Sequence, residues 1–161
     1  QELGRILSED YRDRNPIIIG LLKGSVPFMA ELIKNITIDC ELEFMAVSSY
    51  SGTESMGDVR INKDLDRSIK GCDVIVVEDI VDTGKTLQKV KELLYSKGAS
   101  SVKVISLLDK PDRRIVDIEA EYVGFTIPNE FVVGFGLDFN QKYRNLPYVG
   151  VLKEELYEGE Q

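Results

Sequence analysis

The sequence predicts an α/β protein with a central, mostly parallel sheet flanked by helices, and three observations carry that expectation. The β-branched run Val74-Ile75-Val76-Val77 reads as a buried strand, and Leu87, Val90, Leu93 and Leu94 then repeat with helical spacing until Lys97-Gly98 stops them. Residues 16–22 repeat this grammar: an apolar strand, the turn Lys23-Gly24-Ser25, and a helix able to bury Phe28, Met29, Leu32 and Ile33. Residues 102–108 add a further β-rich segment, so strands alternate with helices as a parallel sheet requires.

The remaining elements follow in chain order. Gln1 opens the chain without a methionine, inside a stretch of helical character, and we expect further sequence before it. Residues 40–50 alternate as a strand, with Leu42, Phe44 and Ala46 on one face. Residues 51–58 are polar and Gly-punctuated, and Val59-Arg60-Ile61 returns to strand character, so residues 49–60 are expected to form a mobile flap on a hairpin. Beyond Asp117 the helical pattern fades into short apolar pieces at residues 122–125, 131–133 and 148–152. They are expected to build a small hood over the sheet edge, spanning residues 117–161 beside a core of about 10–115. There is no internal repeat, low-complexity tract or linker, and the acidic end at 154–161 reads as a solvated terminus.

A length of 161 residues suits one domain, and 43% hydrophobic with 30% charged residues is ordinary for a globular protein. The formal charge of -8 argues against a broad nucleic-acid or anionic-membrane footprint and favours small-molecule partners. Cys40 and Cys72 form no CxxC pair, and neither a signal peptide nor an uninterrupted membrane-length apolar segment is visible, so a reducing cytoplasm is expected. The sequence contains no histidine, which excludes Ser-His and Cys-His nucleophile arrangements within the chain. Acid–base work then falls to carboxylates, which suit hard Mg2+ rather than Zn2+.

The chemistry concentrates in Glu78-Asp79-Ile80-Val81-Asp82-Thr83-Gly84-Lys85-Thr86. Three acids in five positions repel one another unless hydroxyls, cations or a metal compensate them, and the start of the following helix attracts an anion. Taken singly, Asp79 or Asp82 reads equally well as a helix cap, and Thr-Gly as ordinary turn chemistry. Gly84-Lys85-Thr86 imitates the end of a Walker A loop, but that motif needs glycine where Asp79 stands, which excludes a nucleotide triphosphatase of that type.

This segment resembles the phosphoribosyl-diphosphate (PRPP) signature of the type I phosphoribosyltransferases, in the spelling of the bacterial 6-oxopurine enzymes. Leu22-Lys23-Gly24-Ser25 upstream, and Phe131-Val132-Val133-Gly134-Phe135-Gly136-Leu137-Asp138 and Tyr143-Arg144-Asn145-Leu146-Pro147 downstream, extend the likeness over nearly the whole chain. The resemblance implies the fold of that family and transfer of the phosphoribosyl group from PRPP to hypoxanthine or guanine, giving IMP or GMP and diphosphate. It puts the 5-phosphate on Asp82, Thr83, Gly84, Lys85 and Thr86, the diphosphate at Lys23, Gly24 and Arg144, and the ribose hydroxyls at Glu78 and Asp79. It makes Asp82 the base that accepts the purine ring proton. It gives the purine to Lys110, Phe131, Val132 and Asp138, and Mg2+ to Glu78, Asp79 and Asp138, and it closes Ser49 and Tyr50 over the substrates as the flap. By the same analogy the protein is a homodimer or homotetramer.

Lys110 can be argued further from polarity. Its ammonium offers only donors, so it suits the carbonyl of a 6-oxopurine and rejects the amine of adenine. Without the resemblance, Lys110 before Pro111 reads as a loop cation, and Phe131-Val132-Val133 as core. Two alternatives stay open at this point: a xanthine-preferring enzyme of the same chemistry, and a nucleic-acid-binding regulator built on the same fold.

Overall fold

The computed structural model describes residues 1–49 and 59–158. Its centre is a six-stranded sheet. In chain order the elements are α1 (Glu2–Asp10), β1 (Ile17–Leu21), α2 (Val26–Ile33), β2 (Glu41–Ser49), β3 (Val59–Lys63), β4 (Asp73–Val81), α3 (Lys85–Ser96), β5 (Ser101–Asp109), β6 (Tyr122–Thr126), β7 (Val132–Val133) and β8 (Gly150–Val151). The strand order is β3-β2-β1-β4-β5-β6, with β3 antiparallel to β2 and the other pairs parallel.

Helices cover both faces, and the period-2 alternation of the strands sorts residues between them. Ile18, Ile75, Val77 and Ile105 face α1 and α2, where they meet Leu7, Tyr11, Phe28, Met29 and Leu32. Ile17, Ile19, Val74, Val76 and Val104 face α3 through Leu87, Val90 and Leu94. The chain leaves β1 toward β2 by way of α2 and leaves β4 toward β5 by way of α3, in opposite directions. Right-handed crossovers then place the two helices on opposite faces. The β1/β4 junction is the topological switch point, where open parallel sheets bind ligands at the carboxyl ends of the strands.

Four local expectations are corrected. β4 runs through Val81, so Glu78 and Asp79 belong to the strand rather than to the turn; pairing with β5 continues to Val81↔Asp109 and keeps them extended. On β2, Leu42 is 44% exposed while Met45 is buried, because helices on both faces leave no single core face for the alternation to mark. Residues 122–126 are not hood but β6, the edge strand of the main sheet, paired with β5. The core also begins before residue 10, since Leu7 of α1 is buried in it.

The β7–β8 pair forms a separate two-stranded antiparallel sheet. The hairpin arms of the expected flap are β2 and β3, ending at the pair Ser49↔Val59. Tyr50 and the rest of the flap through residue 58 lie outside the described residues.

Candidate active site

Both loops at the switch point follow neighbouring strands. After β1, the chain turns through Leu22–Lys23, a cis peptide, into the start of α2. Gly24 packs directly on the carboxylate of Asp79, and a Cβ at Gly24 would overlap with it, so only glycine brings this turn to the end of β4. After β4, Gly84 adopts φ 85, a left-handed conformation that starts α3 with no side-chain cap. Lys85 N–H meets Thr83 Oγ1 at 3.5 Å, and the N–H groups that follow it at the start of α3 face the turn where an anion is favoured.

Glu78 lies on the α3 side of β4 and Asp79 on the α2 side. Burial, followed by the neighbouring Asp79 charge, holds the Glu78 carboxyl well above the usual range. Burial also raises Asp79, against opposing effects that include the Ile80 N–H donated to Oδ1 at 2.8 Å and the charge of Arg144. The pair is therefore poised to take a cation. Among the described residues no three Asp, Glu, Cys or His side chains gather to hold a metal by themselves. Asp138 is engaged in its own turn, accepting from Gln141 N–H at 2.8 Å and pairing with Arg144 at 3.4 Å. Such a donor set fits Mg2+, which is commonly held by one or two carboxylates together with substrate phosphates and water.

Two cavities open beside the turn. A small one, about 170 Å³, is bounded by Glu78, Asp82, Thr83, Gly84 and Thr86, the size and lining of a phosphate site. Thr86 Oγ1 also lies 3.5 Å from Ser49 Oγ, so the end of β2 reaches the same turn. Lys85 is exposed and points into neither cavity. The larger cavity, about 370 Å³, has Asp82, Lys110, Phe131, Val132 and Asp138 in its walls. These residues come from three separate parts of the chain. Lys110 is 7% exposed, and its ammonium has no carboxylate partner among the described residues. A buried, unpaired cation is costly, which makes it a strong donor for a ligand carbonyl.

The chain matches the model of the phosphoribosyl transferase domain over residues 1–140. It belongs to the phosphoribosyltransferase family. This phosphoribosyltransferase is 59% identical over 158 residues to the hypoxanthine-guanine phosphoribosyltransferase of Lactococcus lactis, covering 98% of this chain and 86% of that protein. Among solved structures, it is similar to a hypoxanthine phosphoribosyltransferase from Staphylococcus aureus, at TM-score 0.93 and 54% identity, covering 97% of this chain and 85% of that one. The hypoxanthine phosphoribosyltransferase of Trypanosoma cruzi, in complex with the product IMP, matches at TM-score 0.91 and 39% identity, covering 97% and 88%.

Several residues of this phosphoribosyltransferase escaped the sequence reading. Arg113 Nε donates to Asp82 Oδ1 at 3.0 Å, and Arg114 Nη1 donates to the Asp82 carbonyl at 2.6 Å while also pairing with Asp109. The 3-10 turn Pro111–Arg113 thus holds Asp82 from within the wall of the base cavity, which Arg113 also lines. Gln141 Oε1 accepts from Lys23 Nζ at 3.4 Å and from Arg144 Nη2 at 3.2 Å, linking the first loop to the hood. Arg144 is anchored by Nη1 on the Gly136 carbonyl at 2.6 Å, and its buried Nε has no hydrogen-bond partner among the described residues. The available signal was the doubled Arg113-Arg114 after Lys110; Gln141, at φ 66, gave none.

Proposed function

We propose that this phosphoribosyltransferase serves purine salvage by moving the 5-phosphoribosyl group of PRPP onto hypoxanthine or guanine, releasing diphosphate and forming IMP or GMP. The observation that carries the reading is the adjacency of a phosphate-sized cavity and a base-sized cavity that share Asp82. The 59% identity to a hypoxanthine-guanine enzyme supports the same substrates.

In this reading the 5-phosphate rests on the turn from Asp82 to Thr86, and the ribose hydroxyls meet Glu78 and Asp79. The diphosphate meets Lys23, Gly24 and Arg144, whose unpartnered Nε supports an anion there. Mg2+, held by Glu78 and Asp79 with substrate oxygens, would neutralise the diphosphate charge and ease its departure. The purine stacks against Phe131, takes backbone groups at Val132, and offers its 6-oxo group to Lys110. Asp138 keeps its place in the base cavity, where it would help to hold Mg2+.

The purine ring nitrogen forms a bond to the anomeric carbon as the bond to diphosphate oxygen breaks. Positive charge builds on the sugar, as in glycoside cleavage. Asp82 accepts the ring proton, and Arg113 holds the carboxylate in position for it. Ser49, whose Oγ lies 3.5 Å from Thr86 Oγ1, would help to exclude water from the activated ribose. No helix among the described residues is long and apolar enough to cross a membrane. The proposed setting is the reducing cytoplasm, supported by two free cysteines, and the proposed assembly is a homodimer or homotetramer.

Initial rates with PRPP, Mg2+ and each of hypoxanthine, guanine, xanthine and adenine test the reading. Hypoxanthine and guanine are expected to turn over far faster than adenine, with Lys110→Ala losing that discrimination. Preference for adenine would overturn it, and preference for xanthine would move the assignment to the related activity.

A further inference from the structure

Phe131, the proposed stacking surface for the base, is the centre of a three-ring cluster. Tyr157 stacks on it with centroids 5.1 Å apart and planes 25° apart, and Phe139 meets it at 5.8 Å and 86°. Tyr157 also lines the base cavity together with Asp82, Lys110 and Phe131. It arrives there by a short path: Leu152, just after β8, donates its N–H to the Phe131 carbonyl at 2.8 Å, and the 3-10 turn Glu154–Leu156 then swings the chain back, closed by Tyr157 N–H on the Glu154 carbonyl at 3.0 Å. One return of the chain therefore grips Phe131 at both its backbone and its ring.

We infer that Tyr157 is a positioning residue of the base site: its ring fixes the plane of Phe131 and completes the aromatic wall against which a 6-oxopurine stacks. The inference rests on the base-site reading above. A phenyl ring 39% exposed at a cavity mouth can turn about its side-chain bonds, and stopping that rotation before the base arrives removes part of the ordering cost of binding. Face-to-face contact with Tyr157 does this without using the phenol group, so phenylalanine is expected to serve as well as tyrosine. Charge and hydrogen bonding at purine position 6 stay with Lys110, so Tyr157 governs how tightly a 6-oxopurine is held rather than which substituent is chosen.

The test compares steady-state constants for the full chain and its Tyr157→Ala and Tyr157→Phe variants, together with titration of GMP binding. Tyr157→Ala is expected to raise KM for hypoxanthine and guanine roughly 3- to 10-fold and to weaken GMP by a similar factor, as loss of an aromatic pair does, with KM for PRPP unchanged. Tyr157→Phe is expected to restore the wild-type values. Should Tyr157→Ala not fold, Tyr157→Leu, which keeps apolar volume without a ring, gives the same comparison. An unchanged base KM, an equal rise in both KM values, or a lower base KM showing that Tyr157 competes for Phe131, would each overturn the inference. A wild-type chain inactive with every 6-oxopurine would instead overturn the reading it rests on.

Discussion

Asp82 joins the two cavities, and its chemistry is the most exposed to test at the scale of single residues. Asp82→Ala is expected to lower kcat by roughly 10²- to 10⁴-fold, the usual worth of a positioned proton acceptor, while PRPP binding measured by calorimetry survives. Unchanged turnover would remove it from the mechanism. Glu78 makes a thermodynamic prediction of opposite sense. Its folded-state carboxyl is held above the usual range, so in the window between the unfolded and folded values the native state keeps a proton that the unfolded chain has lost. Stability then falls as pH rises through the folded value. Without metal, Glu78→Gln should melt at a higher temperature than wild type at neutral pH, with the gain vanishing below about pH 4, where both states are protonated. A lower melting temperature at neutral pH would contradict the assigned cause. The residues legible in the sequence were those carried by contiguous motifs, such as the acids of β4 and the Lys-Gly turn. Gln141 and Tyr157 act on partners 118 and 26 positions away, and such contacts leave no local signal.

Loops after β1 and β4 meet only because the two strands are direct neighbours, and that pairing gives the elements their own prediction. Gly24→Ala would drive a Cβ into the Asp79 carboxylate, which then has to leave its place at the end of β4. Displacing that carboxylate is expected to weaken PRPP binding roughly 10-fold, read by titration with Mg2+ present. Unaltered PRPP affinity would separate the two loops functionally. At this scale the strand–turn–helix units were visible in the sequence because apolar period and turn chemistry coincide. The end of β4 was not: acids signal a turn, whereas hydrogen bonds to β5 hold Glu78 and Asp79 extended. β6 was missed for a related reason. It is a short edge strand whose residues are half-buried or exposed, so its alternation carries little hydrophobic contrast.

Across the whole molecule, a chain of formal charge -8 places four cations about the proposed site: Lys23 and Arg144, joined through Gln141, and Lys110 and Arg113 in the walls of the base cavity. The acid pair ends β4 beside the first loop, and the hood carries Phe131 and Asp138 into the base cavity. Fold class was readable because helices alternate with strands; the position of the site followed from the switch point, which no sequence pattern states directly. Exposed Phe125, Tyr148 and Val151 add apolar surface outside the site, consistent with the proposed self-association. The central claim is that one sugar spans the β1/β4 junction with its two charged ends on separate loops. A crystal structure of the protein soaked with PRPP and Mg2+ tests it most directly. We expect the 5-phosphate in the turn from Asp82 to Thr86, the ribose hydroxyls toward Glu78 and Asp79, and the diphosphate beside Lys23, Gly24 and Arg144; PRPP ordered elsewhere, with that junction unoccupied, would contradict the account.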